Sequence, residues 1–236
     1  MIIEFNGLPG TGKTTVCKAL AARLEGNRPY TFGRFPKDGR IKRYISYVTE
    51  GCVTFYKLGI KFSDSVCISN GVTDKEIIKK NRGLIFRLIK YYRAYLAFCR
   101  KARKDEVMLM DEGLVHGLLT TAHGREITST EQLDAFLRFL KKKGIALTCV
   151  NCLADVSLSE GRIAGRGDTG ARLDVCDAEE RARILTVQEK NLAIIRQRVA
   201  EIMAPATLVI DTAVSVEENS AYIDGELKLS DYTFGE

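Results

Sequence analysis

The sequence predicts an α/β domain, and three observations support this prediction. Short apolar runs that suit buried strands alternate with longer segments that have the apolar spacing of helices. The run between Glu106 and Asp111 is continuously apolar, which is typical of a strand buried on both faces of a parallel sheet. A glycine-rich loop joins the first strand to the first helix. The length of 236 residues fits a single domain of this class.

The first element pair encloses the strongest motif of the chain. Met1–Asn6 is apolar enough for a buried strand, and Val16–Leu24 has helical spacing. Between them, the segment GLPGTGKTT at Gly7–Thr15, here called the glycine loop, matches the phosphate-binding pattern G-x-x-x-x-G-K-[ST] without a mismatch. The sequence therefore predicts a nucleoside triphosphate site, and the nucleotide-binding residues expected from it are Gly7, Pro9, Gly10, Thr11, Gly12, Lys13, Thr14 and Thr15.

Each residue type in the glycine loop has a physical role in binding a triphosphate. Gly10 and Gly12 let the backbone approach the phosphates, while amide groups at the helix N-terminus face the anion. Lys13 places a positive charge near the β and γ oxygens, and Thr14 offers a hydroxyl group to Mg²⁺. These roles predict a nucleoside triphosphate bound with Mg²⁺.

Composition favours a cytoplasmic protein with an anionic ligand. The net charge is +6, but the 36 Lys and Arg residues are spread over several segments, which does not favour a nucleic-acid partner. The seven cysteines are scattered through mostly apolar segments, as expected of free thiols in a reducing compartment. No apolar run is long enough to span a membrane, and no signal segment is recognised, so we expect no membrane association.

The next part of the chain contains three arginines that are candidates for substrate binding. A second strand is expected at Tyr30–Phe35, and Pro36 favours a rigid turn that aims Arg34 at a substrate. A solvent-exposed arginine fits the same pattern. No structure is predicted for residues 51–72. A long helix is then predicted from 73 to about 104, and it carries Arg82 and Arg87, which are candidates for binding a phosphate. The helix also has an aromatic stripe, which favours a core role over a base-stacking platform: Tyr91, Tyr92, Tyr95 and Phe98.

Asp111 and Glu112 form the second strong signal because they follow the apolar run directly. Ligands in open α/β sheets gather outside the carboxyl ends of strands, so these acids should lie near the glycine loop. An acid at this place can hold Mg²⁺ or accept a proton from a substrate hydroxyl. We therefore predict that Asp111 binds metal and substrate, with helix capping as its structural alternative, and that Glu112 binds substrate.

The rest of the chain continues the alternation of helices and strands. We expect helices at 113–123 and 129–143, a strand at Ile145–Leu153, a helical turn after Asp155, a helix from Asp177 through Met203, a strand at Ala206–Asp211 and a helix from Val216 to about Leu227. Arg162 and Arg166 would share a helical face, and glycines follow them. This favours a lid whose arginines close over the transferred phosphoryl group, although a surface loop with solvated arginines fits as well.

Five features occur in a characteristic order and span most of the chain. They are GLPGTGKTT at Gly7–Thr15, RFP at Arg34–Pro36, Asn81-Arg82 on a long helix, Asp111 after an apolar strand, and RIAGR at Arg162–Arg166. With this set, the chain resembles the P-loop nucleoside and nucleotide monophosphate kinases, and most specifically the thymidylate kinase-like branch. The glycine loop is highly specific, whereas the shorter motifs persuade through their order and spacing.

The resemblance implies a three-layer α/β sandwich with a five-stranded parallel sheet and a small lid. It implies γ-phosphoryl transfer from Mg-ATP to a nucleotide monophosphate, with Lys13, Asp111, Arg162 and Arg166 as catalytic residues. Arg34 and Arg82 would hold the acceptor phosphate. Related kinases are often dimers, so the resemblance also leaves a homodimer open.

One departure from the family pattern concerns the acceptor. Thymidylate kinases usually follow the strand-end Asp with Arg, whereas Asp111 is followed here by Glu112-Gly113. An acid pair favours an uncharged hydroxyl, so a kinase of a nucleoside or another small-molecule hydroxyl is the alternative. A nucleic-acid end kinase or a nucleotide-hydrolysing switch is a further alternative, but the N-K-x-D and D-x-x-G motifs of a GTPase switch are absent at suitable places.

The predicted organisation is one kinase-like domain. It comprises residues 1–228, with an acceptor-binding region at about 34–104 and a lid at about 155–176, and residues 229–236 form a C-terminal tail.

Overall fold

The computed structural model describes residues 1–25, 30–32, 51–73, 75–103, 106–165, 173–174 and 176–230, and the side chains at 31, 32, 76–78 and 80–82 lie outside this description. The elements are β1 (Ile2–Asn6), α1 (Lys13–Leu24), β2 (Tyr30–Phe32), α2 (Cys52–Ser69), α3 (Lys75–Lys101), β3 (Val107–Met110), α4 (Leu114–Ala122), α5 (Glu131–Lys142), β4 (Thr148–Leu153), α6 (Val156–Gly165), α7 (Ala178–Met203), β5 (Ala206–Asp211) and α8 (Val216–Leu227). The predicted α/β fold with a parallel sheet and helices is confirmed.

The strands form one parallel sheet in the order β2-β3-β1-β4-β5. The central strand, β1, pairs with β3 on one side and β4 on the other, so that Ile3 lies opposite both Leu109 and Thr148. All residues of β1 and β3 are buried. Since neighbouring parallel strands end at the same edge, the glycine loop after β1 and Asp111 after β3 leave the sheet side by side.

Side chains from successive strand residues enter two separate cores on opposite faces of the sheet. Ile3, Leu109 and Val150 belong to the core shared with α1 and α8. Their sequence neighbours Ile2, Met108 and Cys149 belong to the larger core that contains residues of α2, α3, α4, α5 and α7. Helices therefore cover both faces, as expected of a sheet whose central strands are buried on both faces.

Helix α2 occupies most of residues 51–72, for which the sequence predicted no structure. Its buried face includes Phe55, whose ring stacks on Tyr92 of α3 with centroids 4.5 Å apart. Gly59 lies where the two helices come close, since a Cβ there would be 2.7 Å from Cγ2 of Ile85. Small and polar residues at such positions obscured the apolar period. The prediction that the aromatic stripe of α3 packs in the core is confirmed, since all four of its side chains are buried there.

Several predicted boundaries are confirmed because local capping groups define them. Asp177 accepts a hydrogen bond from the Glu180 N–H group at the start of α7, and Ser215 does the same for α8. The strand predicted to extend to Phe35 is described only through Phe32, and residues 33–50 lie outside the description. Within the described part of the chain, no helix combines the length and apolarity needed to cross a membrane.

Candidate active site

The glycine loop has the conformation that close approach to an anion requires. Gly10 and Gly12 have φ angles of +84° and +82°, a region that side-chain-bearing residues rarely adopt. Lys13 begins α1 and is buried, and its Nζ donates a hydrogen bond to the Leu8 carbonyl at 3.1 Å. Gly12 has no side chain to cap α1, and a helix N-terminus of this kind is suited to bind a phosphate.

Thr14 and Asp111 meet directly at the base of the glycine loop. The Thr14 hydroxyl donates a hydrogen bond to Oδ2 of Asp111 at 3.0 Å, although the two residues are 97 positions apart in the chain. A hydroxyl oxygen and a carboxylate oxygen are the hard donors that Mg²⁺ prefers. The donor set therefore fits a magnesium ion beside the triphosphate.

A cleft of about 690 Å³ extends from the glycine loop between α3, α4, α6 and α7. This volume lies within the range of small-molecule sites. Beyond the glycine loop, the polar residues of its wall are Arg87, Glu112, His116, Thr120, His123, Arg162, Gln188 and Thr212. The glycine loop thus occupies one end of a cleft that has room for a second ligand.

Glu112 lies partly exposed in this cleft and has two neighbours. The Tyr91 hydroxyl donates a hydrogen bond to its Oε2 at 3.5 Å, and Nε2 of His116 is 3.7 Å from its Oε1. Burial, with the positive charges of Lys13 and Arg87, holds the pKa of His116 well below 6.5, so its imidazole is neutral at neutral pH. Burial and the charge of Glu112 raise the pKa of Tyr91, which keeps its hydroxyl a donor.

Two buried polar atoms of the cleft wall have no hydrogen-bond partner among the described residues. They are Nδ1 of His116 and Oε1 of Gln188. Buried polar atoms are normally paired, so atoms of this kind in a ligand-sized cleft are places where a bound molecule can complete the hydrogen bonding. The cleft therefore offers polar contacts to a second ligand as well as phosphate contacts to the first.

Arg162 of α6 lies in the wall of the cleft and binds the backbone around the glycine loop. Its Nη1 donates to the Thr11 carbonyl at 3.2 Å, and its Nη2 donates to the Thr212 carbonyl at 2.8 Å. Thr212 follows β5 and is itself bound to the Leu153 carbonyl. The guanidinium group thus joins the glycine loop to the ends of β4 and β5.

A second arginine binds the end of the strand that leads into the glycine loop. Arg196 of α7 donates from Nη2 to the Asn6 carbonyl at 2.8 Å and to the Cys152 carbonyl at 3.4 Å. Asn6 is the last residue of β1 and Cys152 lies near the end of β4. The strand that enters the glycine loop is therefore held to its neighbour by a side chain from α7.

The structure brings most of the predicted site residues together. Those around the cleft are Pro9, Gly10, Thr11, Gly12, Lys13, Thr14, Thr15, Glu112 and Arg162, with Asp111 bound to Thr14 and Gly7 at the start of the loop. Arg34, Arg166 and the side chain of Arg82 lie outside the described residues.

Sequence reasoning missed His116, Thr120, His123, Gln188 and Thr212 as polar residues of the cleft. A signal existed for His116 and Thr120, which lie four residues apart on α4 and so share one face, and His123 follows at the end of this helix. Gln188 carried no such signal, because it lies inside a long helix whose partner on α4 is distant in sequence.

Comparison with known proteins finds no matching family model and no matching curated protein. Among solved structures, the chain is similar to deoxyadenosine kinase from M. mycoides with the products dCMP and dCDP bound, with a TM-score of 0.54 and 13% identity over 97% of this chain and 99% of that chain. This likeness shows that the two chains share a fold. The same enzyme with bound dATP gives a TM-score of 0.49 and 15% identity over 97% of this chain and 100% of that chain. The YorR protein of Bacillus subtilis, in complex with phosphorylated GDP, gives 0.49 and 16% over 100% of each chain.

Proposed function

We propose that the protein is a P-loop kinase that transfers the γ-phosphoryl group of Mg-ATP to a nucleoside or nucleotide. The observation that carries this proposal is the 3.0 Å hydrogen bond between Thr14 and Asp111 at the base of a glycine loop with two left-handed glycines. The next residue, Glu112, faces the part of the cleft that is left for an acceptor. The nucleoside-kinase fold supports the same assignment.

The described residues suit phosphoryl transfer, which depends mainly on positioning and charge neutralisation. Lys13 and the first-turn amides of α1 balance charge on the transferred group. Thr14 and Asp111 would hold Mg²⁺, which neutralises phosphate charge when bound. Glu112 accepts the proton of the acceptor hydroxyl, whose oxygen bonds to the γ-phosphorus as the bond to ADP breaks.

A nucleoside hydroxyl is the acceptor that this cleft favours. Glu112 is an anion at the place where a thymidylate kinase-like site would have an arginine, so it repels an acceptor phosphate but can accept a proton from a hydroxyl. His116 and Tyr91 lie on either side of its carboxylate and restrict its orientation. We further propose that His116 and Gln188 make hydrogen bonds to this acceptor.

A nucleotide monophosphate, as in the thymidylate kinase-like branch, is the second candidate. The observation that favours it is Arg87 of α3, an exposed guanidinium group on the wall of the cleft. Together with the predicted contributions of Arg34 and Arg82, it would supply the bidentate contacts that hold a phosphate. We also propose that the lid, residues 155–176, brings Arg162 and Arg166 over the donor when both substrates are bound.

The test is to measure ADP release and phosphorylated product by mass spectrometry, with Mg-ATP and a panel of nucleosides, nucleoside monophosphates and small alcohols. We expect product from a nucleoside and loss of turnover in Lys13→Ala. Glu112→Gln should lower turnover with a nucleoside while changing ATP binding little. Product from monophosphates alone would favour the second candidate, and product from no member of the panel would reject the kinase.

A further inference from the structure

Glu4 is a carboxylate in the middle of the central strand, and it is completely buried. Its Oε2 accepts hydrogen bonds from the Tyr95 hydroxyl at 2.8 Å and from the Leu114 N–H group at 3.0 Å. Its Oε1 accepts from the Val115 N–H group at 2.7 Å and from the His116 N–H group at 3.4 Å. Both oxygens therefore contact the start of α4.

These three N–H groups belong to the first turn of α4, where no carbonyl of the helix itself can accept from them. A side chain immediately before a helix usually satisfies such groups, but that position is Gly113 here. Glu4 does so instead, from a different element. Its negative charge also faces the positive end of the helix dipole.

The backbone before α4 lies too close to Glu4 and Tyr95 for a side chain at position 113. A Cβ on Gly113 would lie 2.2 Å from the Tyr95 hydroxyl and 2.3 Å from Cδ of Glu4. Glycine thus lets the chain pass directly over the carboxylate between Glu112 and α4. This contact gives a physical reason for the glycine at position 113.

From these contacts we infer that Glu4 is a positioning residue, which fixes the first turn of α4 and thereby holds Glu112 and His116 at the acceptor end of the cleft. Glu112 precedes that turn by two residues, and His116 lies within it. The same strand ends at Asn6 and enters the glycine loop. The inference rests on the proposed function, because it assigns the donor loop and the acceptor residues to one common support.

Stability alone does not explain a carboxylate at this place. Burying an ionised group costs the folded state free energy that its hydrogen bonds only partly offset. This cost raises the pKa of Glu4 to about 7. An apolar residue would suit a strand buried on both faces, so the contacts to α4 are what the carboxylate adds.

The test compares Glu4→Gln and Glu4→Leu with the wild-type protein at pH 8. Gln keeps one acceptor oxygen, whereas Leu keeps none, so turnover with the acceptor should fall in the order wild type, Gln, Leu. A displacement of reacting groups by about 1 Å lowers turnover by about 100-fold, which sets the scale expected for Leu. Affinity for ATP should change little, because the glycine loop retains its own contacts, and the unfolding free energy of Glu4→Gln should be no lower than that of the wild type.

Tyr95→Phe is the matched control, because it removes a hydrogen bond to Glu4 but leaves all three bonds to α4. Its turnover should remain close to that of the wild type. Three outcomes would each overturn the inference. Turnover could fall equally in Tyr95→Phe and Glu4→Gln, the losses of turnover could follow the losses of stability, or turnover could be unchanged in both Glu4 variants.

Two structural measurements separate this inference from the proposed function. Amide hydrogen exchange at residues 114–116 should accelerate in Glu4→Leu, while exchange in α5 should not. The ring-proton resonances of His116, one of two histidines in the chain, should shift. If the wild-type protein phosphorylates no acceptor, the proposed function fails, and these measurements still decide whether Glu4 holds α4. Unchanged exchange and resonances would reject that role.

Discussion

Replacing Glu4 with Gln is expected to change how the stability of the protein depends on pH. Burial raises the pKa of the Glu4 carboxyl from 4.5 to about 7, although the hydrogen bonds from Tyr95 and from three N–H groups of α4 lower it. Burial therefore outweighs the hydrogen bonds. One pKa unit corresponds to about 1.36 kcal/mol, so the folded state is about 3 kcal/mol less stable with Glu4 ionised than with Glu4 protonated.

The sign of the effect follows from where the proton binds more tightly. An acid whose pKa is higher in the folded chain than in the unfolded chain favours folding while it is protonated. The contribution of Glu4 is therefore complete below pH 4.5, decreases as the pH rises to about 7, and is constant above that. Gln has no such proton, so the unfolding free energy of the wild type minus that of Glu4→Gln should fall by about 3 kcal/mol over this window.

Urea unfolding at steps from about pH 4.5 to pH 8.5 measures this difference. The other titratable groups that act on Glu4 do not disturb it, because burial raises the pKa of Cys149 to about 12 and those of Tyr91 and Tyr95 still further above the window. His116 is present in both proteins, so the contribution of its titration cancels in the difference between their unfolding free energies. Glu25→Gln, at the exposed end of α1, controls for loss of a surface carboxylate. A difference that stays flat or rises with pH would refute the reasoning.

Three further substitutions test contacts around the cleft. Gly113→Ala should lower the unfolding free energy by about 1–3 kcal/mol, because its Cβ would overlap the Tyr95 hydroxyl, whereas Gly161→Ala on open helix surface should not; thermal unfolding compares them. Arg196→Met should destabilise the protein by about 1–3 kcal/mol and weaken ATP binding, and calorimetry showing unchanged affinity would contradict its role as a brace of the glycine loop. Thr14→Val should raise the Mg²⁺ concentration needed for half-maximal turnover by about 10-fold, while metal-free nucleotide binding stays unchanged.

The parts of the fold that the sequence predicted are those that local chemistry determines. The glycine loop requires particular residues at fixed spacing, and α7 and α8 begin at Asp177 and Ser215, whose side chains cap them. Helix α2 was not predicted because its apolar period is interrupted where Gly59 meets α3. That interruption has a reason only when both helices are in place, so no window of sequence reveals it.

The candidate site divides in the same way between local and distant contacts. Lys13, Thr14 and Asp111 were predicted because a loop and a strand end identify them, and their meeting follows from the parallel neighbours β1 and β3. Gln188 reaches the cleft from a helix that begins more than fifty residues after α4 ends. Its position depends on how α4 and α7 pack against each other on one face of the sheet, and apolar periodicity does not specify this packing.

Glu4 combines these two situations, because its position in an apolar strand conceals its function. Considered without the rest of the chain, the segment Ile2–Asn6 is a buried strand in which the charge of Glu4 disfavours burial. Its partners on α3 and α4 lie 91 and more positions away, and they explain why a costly charge occupies the centre of the sheet. A strand that must both enter the glycine loop and support the acceptor helix needs an acceptor group as well as apolar side chains. We expect Glu4→Gln to turn over more slowly than the wild type without being less stable. If both results are found, the free energy that ionised Glu4 costs the folded state is the stability given up to position α4.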